Sequence, residues 1–151
     1  MPVRNIRAFL DAHGVRYVIV QHSPVFTAQE IAESVHVSGR HFAKSVLVKL
    51  DGVPALAVLP ATRQIDLDAL AEAAGADAVE LADETELNGR FPECDPGAVP
   101  PFGNLFDLPV YLNSALAEQE ELIFNAGRHT EVMRLSFEDF AALVEPRIAD
   151  F

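Results

Sequence analysis

Phe42-Ala43-Lys44-Ser45-Val46-Leu47-Val48-Lys49-Leu50 runs into Asp51-Gly52 and then a second apolar run, Val53 to Leu59. Asp-Gly between two apolar, partly β-branched runs is the strongest short hairpin signal, so the stretch predicts two antiparallel strands. Side chains alternate along a strand, which puts Phe42, Lys44, Val46, Val48 and Leu50 on one face. Ala43, Ser45, Leu47 and Lys49 fall on the other, more polar face. Lys49 is at home there. Lys44 stands in line with four large hydrophobes. An ammonium in that position must snorkel out at the strand end, meet a fixed anion, or face a cavity that admits a polar ligand.

Around this hairpin the chain reads as short alternating elements. Ile6, Phe9 and Leu10 form one stripe of a helix from about Val3 to His13, stopped by Gly14. Tyr17 to Gln21 reads as a strand. Thr27-Ala28-Gln29-Glu30 is a capping box for a helix to about Val35. Asp66 caps a helix carrying Leu67, Leu70, Ala71 and Ala74, ended by Gly75. Ala78 to Leu81 predicts a brief strand, and Asp83 to Asn88 a short helix. Further strands are expected at Val110–Leu112, Glu121–Asn125 and Glu131–Leu135. Ser136 with Asp139 caps a last helix containing Phe140, Leu143 and Val144. No repeat or linker divides the chain. The expectation is one domain over residues 1–151, of α+β class with a mixed sheet, because strands outnumber helices without a strict βαβ rhythm.

Composition limits the function. The 151 residues include 11 Lys and Arg against 23 Asp and Glu, a net charge of −12. Phosphate-backbone binding depends on Lys and Arg, so a broad grip on nucleic acid is excluded and DNA is not an expected partner. No apolar run approaches the ~20 residues that span a bilayer, and the N-terminus does not read as a signal peptide. Only one cysteine, Cys94, is present, in keeping with a reducing cytoplasm. The five histidines, His13, His22, His36, His41 and His129, show no metal-ligand spacing, so neither metal nor cofactor is expected.

Two segments stand out as loops. Phe91-Pro92-Glu93-Cys94-Asp95-Pro96-Gly97-Ala98-Val99-Pro100-Pro101-Phe102-Gly103 is too rich in proline for a regular element and too apolar for disorder. It is either a structural wrap over the sheet edge or a rigid loop that aims the N–H groups of Gly97, Ala98 and Val99 at an oxygen anion. Asn125-Ala126-Gly127-Arg128-His129-Thr130 joins two strands and reads first as a turn. His22, in His22-Ser23-Pro24, is a candidate for a site rim. Cys94 beside Asp95 is a candidate thiol nucleophile, a role that sequence alone leaves open.

In order and spacing these pieces resemble the YbaK/prolyl-tRNA editing domain family across nearly the whole chain. The resemblance rests on His22-Ser23-Pro24 with Thr27-Ala28-Gln29-Glu30, on Ala43-Lys44-Ser45, on Val58-Leu59-Pro60, on the Gly-x-x-x-Pro loop from Gly97 to Pro101 with Phe102-Gly103, and on Asn125-Ala126-Gly127. It implies a mixed, partly barrel-like sheet with flanking helices and hydrolysis of the ester between a wrong amino acid and the 3′ end of a tRNA. It implies Lys44 as the residue most tied to activity. Gly97, Ala98, Val99, Pro100 and Pro101 would shape the substrate pocket, with His22, Thr27, Asn125, Ala126 and Gly127 as further substrate contacts. The implied substrate is a small amino acid on tRNA(Pro) or a related tRNA, edited in trans in the cytoplasm. The implied partners are the tRNA acceptor end and prolyl-tRNA synthetase or another translation factor, with no membrane. The rival classes are a non-catalytic module for aminoacylated or proline-like ends and a thiol hydrolase using Cys94.

Overall fold

The computed structural model describes residues 3–21, 42–95 and 97–151. The hairpin forms as its sequence dictates: β2 (Phe42–Leu50) pairs antiparallel with β3 (Val53–Pro60), from Ala43↔Pro60 to Leu50↔Val53. Asp51 and Gly52 both take positive φ, 50° and 85°, the conformation whose twist matches a two-residue hairpin. The Asp51 carboxylate accepts the N–H groups of Asp77 and Ala78, tying the turn to the next strand.

Around this hairpin lie α1 (Val3–Ala12), β1 (Tyr17–Gln21), α2 (Leu67–Ala74), β4 (Val79–Leu81), α3 (Glu84–Arg90), a 3-10 turn (Gly103–Phe106), β5 (Val110–Asn113), α4 (Ser114–Ala117), β6 (Glu121–Asn125), β7 (Glu131–Ser136), α5 (Phe137–Val144) and β8 (Arg147–Ala149). The caps expected at Asp66, Gly75 and Ser136 are all made. Three pieces carry too little pattern to be read from sequence: the 3-10 turn, α4 and β8.

The eight strands form one mixed sheet in the order β1-β7-β6-β2-β3-β5-β8, with β4 also on β2. β1 and β8 end the sheet, so among the described residues the expected partly barrel-like curvature does not reach closure. β2 carries two partners on one edge. Its start pairs parallel with β6, as Phe42↔Ile123 and Ala43↔Phe124, and its end pairs antiparallel with β4, from Val48↔Leu81 to Leu50↔Val79.

Both sheet faces are covered, by different means. The first face buries Ala43, Leu47, Leu56, Val58, Leu112, Leu122, Phe124, Met133 and Leu135 against Ile6 and Leu10 of α1, Leu116 of α4 and Phe140 of α5. Phe102 lies at its centre, edge-on to both Phe124 and Phe140. The second face buries Val48, Ala55, Ala57, Leu59 and Tyr111 under Leu70 of α2 and Phe151. The face of β2 expected to be the more polar one therefore holds the larger core. Ala43 and Leu47 outweigh Ser45 and Lys49, because β3 and β6 turn Leu56, Val58, Leu122 and Phe124 the same way.

Candidate active site

Lys44 lies on the second face, opposite Leu59 of β3, and is partly buried. No carboxylate pairs with it among the described residues. Burial alone holds its ammonium below the ordinary lysine range, since charge is disfavoured where water is removed. Among the described residues no fixed anion meets Lys44, which leaves a snorkelling ammonium or one that faces a hollow open to a polar ligand.

The β6–β2 ladder places Asn125 beside it. Ile123 partners Phe42, and Asn125 and Lys44 each lie two residues further along parallel strands, on the same face and at the same level. The ladder stops at Ala43↔Phe124, so the strands part where these two side chains emerge. Beyond the fork, among the described residues, β2 is bonded on this side by the Ala82 N–H to the Leu47 carbonyl before β4 joins. Asn125 is 5% exposed, and its Oδ1 has no hydrogen-bond partner among the described residues. A buried amide oxygen without a donor costs on the order of 1–3 kcal/mol, so it is a candidate ligand contact.

The turn after Asn125 is bonded to the proline-rich loop. The Gly127 N–H donates to the Ala98 carbonyl at 2.9 Å, and the Asp95 N–H donates to the Gly127 carbonyl at 2.9 Å. The Asp95 carboxylate accepts the His129 N–H at 3.0 Å. Gly97 sits at φ 80°, a left-handed conformation that favours glycine, and a Cβ there would meet His129 Cε1 at 3.5 Å. Two segments far apart in sequence thus make one bonded wall at the turn that begins with Asn125.

Of the three N–H groups foreseen as donors, at Gly97, Ala98 and Val99, that of Ala98 is spent on the Asp95 carbonyl. The Ala126 N–H is likewise taken, by the Glu131 carbonyl. Val99 and Phe102 pack into the first-face core. Ala98, Pro100 and Pro101 are buried too. Asp95 and His129, which the sequence left as a neighbour of Cys94 and a loop residue, belong to the site wall. His129 Nδ1 is a second buried atom without a partner among the described residues. The only signal for them was an Asp in a loop, a residue type that often accepts backbone N–H groups. His22, Thr27, the helix opened by Thr27 and Pro96 lie outside the described residues.

Cys94 is half-buried, and burial pushes its thiol up, away from the thiolate that a nucleophile needs. Among the described residues no group of three His, Cys, Asp or Glu side chains converges as a metal site. Nor is any helix there long and apolar enough to cross a membrane.

With this geometry in place, the model of the aminoacyl-tRNA editing domain matches residues 22–143. The chain belongs to that family. As an editing domain it is similar to the multifunctional Ser/Thr-tRNA deacylase ProXp-y of Escherichia coli strain K12. They are 28% identical over 153 residues, with 98% of this chain and 91% of that protein covered. It is 26% identical over 145 residues to the prolyl-tRNA editing protein ProX of Acetoanaerobium sticklandii, covering 91% of this chain and 87% of that one. A crystal structure given as that of a candidate trans-editing enzyme for prolyl-tRNA synthetase superposes with a TM-score of 0.82 at 23% identity, covering 98% of this editing domain and 94% of that chain. That likeness carries the fold, which is mixed α and β with flanking helices.

Proposed function

We propose that this editing domain hydrolyses the ester of mischarged aminoacyl-tRNA in trans, with the reaction centred on Lys44. The observation that carries the reading is a lysine on an apolar sheet face, with no carboxylate partner among the described residues, beside a buried Asn125 oxygen that also lacks one. Family membership makes the chain an aminoacyl-tRNA deacylase, a carboxylic ester hydrolase. The relatives' names support a small amino acid as the group removed, and tRNA(Pro) or a related tRNA as its carrier.

The chemistry asks little of the protein. A water oxygen attacks the ester carbonyl carbon, the electrons move onto the carbonyl oxygen, and collapse of this oxyanion breaks the bond to the ribose oxygen, which takes up the proton that the attacking water gives up. The products are the free amino acid and intact tRNA. The Lys44 ammonium holds the carbonyl oxygen or the terminal phosphate as a point charge, strongest where water is partly excluded. Asn125 Oδ1 is placed to accept from the substrate's ammonium or from a ribose hydroxyl. The ribose hydroxyl next to the ester positions the water, so no protein nucleophile is needed. Gly97, Ala98 and Gly127 supply a stiff wall that limits the size of the amino acid. His22, Thr27, Val99, Pro100, Pro101 and Ala126 remain proposed contacts or supports of this pocket.

Residues 1–151 act as one domain in the cytoplasm, with prolyl-tRNA synthetase or another translation factor holding the tRNA body. The test is a panel of mischarged tRNAs incubated with the purified protein, with ester loss followed over time. Loss above the spontaneous rate from at least one tRNA carrying a small amino acid is expected. Loss from none would overturn the reading.

A further inference from the structure

A protein of net charge −12 that acts on a polyanion must hold it with whatever cations are not already committed. Among the described residues most are. Lys49 lies between Glu86 and Glu80, Arg7 is on Glu131, and Arg134 is on Glu121. Arg147 lies over the Tyr111 ring, and Arg63 donates to Asn113. Besides Lys44, Arg16, Arg90 and Arg128 show no side-chain partner among the described residues. Arg16 lines a groove at β1 whose other walls include Glu121 and Asp139, a poor place for a phosphate. Arg90 lies in a first-face hollow beside Lys49 and Glu86, on the other side of the sheet from Lys44.

Arg128 differs from both. It is exposed, and it sits in the turn that begins at Asn125. That turn is bonded to the Gly97 loop on both sides, through Gly127 and through the His129 N–H on Asp95. Arg128 therefore rises from a bonded backbone turn that also carries Asn125 and His129, whose Oδ1 and Nδ1 are buried and lack partners among the described residues.

We propose that Arg128 is a phosphate-positioning residue, which grips a backbone phosphate in the unpaired 3′ end of the substrate RNA while the aminoacyl ester lies at Lys44. The proposal rests on the deacylase reading and adds the RNA contact that the reading lacks. A guanidinium suits the task because its planar fork meets two phosphate oxygens at once. One such contact fits a protein whose charge forbids a broad footprint.

The experiment compares Arg128→Gln with Arg90→Gln. Each removes one positive charge, so both chains go from −12 to −13 and any difference is local. Each variant is assayed on a mischarged tRNA and on the matching aminoacyl-adenosine, which has the ester and no phosphate. Arg128→Gln is expected to raise KM for the tRNA about three- to tenfold with kcat little changed. The slope of log kcat/KM against log salt should shrink by about 0.7, the value for one single-stranded phosphate contact. Hydrolysis of aminoacyl-adenosine should not change, and Arg90→Gln should match the wild type in every arm. Equal losses on both substrates, or a salt slope identical to that of Arg90→Gln, would overturn the proposal. If the wild type hydrolyses no ester, the deacylase reading fails by itself. Arg128 is then judged by binding of an uncharged RNA hairpin with a 3′ CCA end, where the same slope difference is expected and its absence counts against the proposal.

Discussion

Two lysines on one strand meet opposite fates. Lys49, near the end of β2, faces the first side of the sheet and is claimed at once. Glu86 of α3 accepts from it at 3.0 Å, and Glu80, its cross-strand partner on β4, lies at 3.4 Å. These carboxylates, Glu86 first, raise its pKa. Lys44, near the start of the same strand, faces the second side, where no carboxylate pairs with it among the described residues, and burial lowers its pKa. The fold thus pairs one lysine with two acids and leaves its neighbour partly desolvated, with no carboxylate on it among the described residues. On the proposed reading, a lysine kept at that cost is there to meet the substrate.

The sharpest way to break this contrast is to remove each lysine in turn. Lys44→Ala should lower single-turnover deacylation by at least ~100-fold, the scale for losing one preorganised electrostatic contact. Its melting temperature should hold or rise, because a partly desolvated charge leaves the sheet. Lys49→Ala should show the reverse pattern, near-normal turnover with a slightly lower melt, as befits a partly exposed ion pair. An active Lys44→Ala protein would falsify the assignment.

The wall at the turn that begins with Asn125 offers the next test. Ala98 lies between the glycine and the prolines of the pocket loop, yet it is fully buried and both its backbone groups are bonded. Ala98→Val should therefore act as overpacking, destabilising by about 1–3 kcal/mol. All substrates should slow together. A changed ranking among mischarged tRNAs at an unchanged melt would mean that this side chain reaches the amino acid after all.

Asn125→Ala probes the other flank. If its orphan Oδ1 awaits the substrate, the rate should fall about tenfold, the scale of one hydrogen bond. The melting temperature should then move by no more than about 4 °C, since no bond to that oxygen is lost from the free protein. A large drop in melt with a proportionate loss of rate would make Asn125 a structural residue.

The smallest effects concern pH. Between its lowered folded pKa and its unfolded value, Lys44 holds fewer protons in the fold than in the unfolded chain, so its contribution to stability rises with pH in that window. Lys49 runs the other way: its contribution is present below the unfolded value and lost as pH rises through the raised folded one. If the ammonium form of Lys44 is the active one, turnover corrected for spontaneous hydrolysis should fall at a lower pH than an ordinary lysine would impose. NMR titration of the two Nζ groups should give Lys44 the lower midpoint. Coincident midpoints would remove the electrostatic distinction between the two lysines.

Much of this was legible in the chain itself. The Asp51-Gly52 turn, the alternation along β2 and the caps at Asp66 and Ser136 depend on residues close in sequence, and local sterics and hydrogen bonding settle them wherever they occur. The oddity of Lys44 was legible for the same reason, because alternation alone puts it among hydrophobes. What only the tertiary structure decided is everything that needs two distant segments to meet. The parallel ladder that sets Asn125 level with Lys44, the bonds from Asp95 and Ala98 to Gly127 and the two acids on Lys49 join residues that no local pattern connects. Which face of β2 was the deeper core was also beyond the strand's own sequence. Burial is set by what packs against a face, and α1, α4, α5 and Phe102 arrive from both ends of the chain.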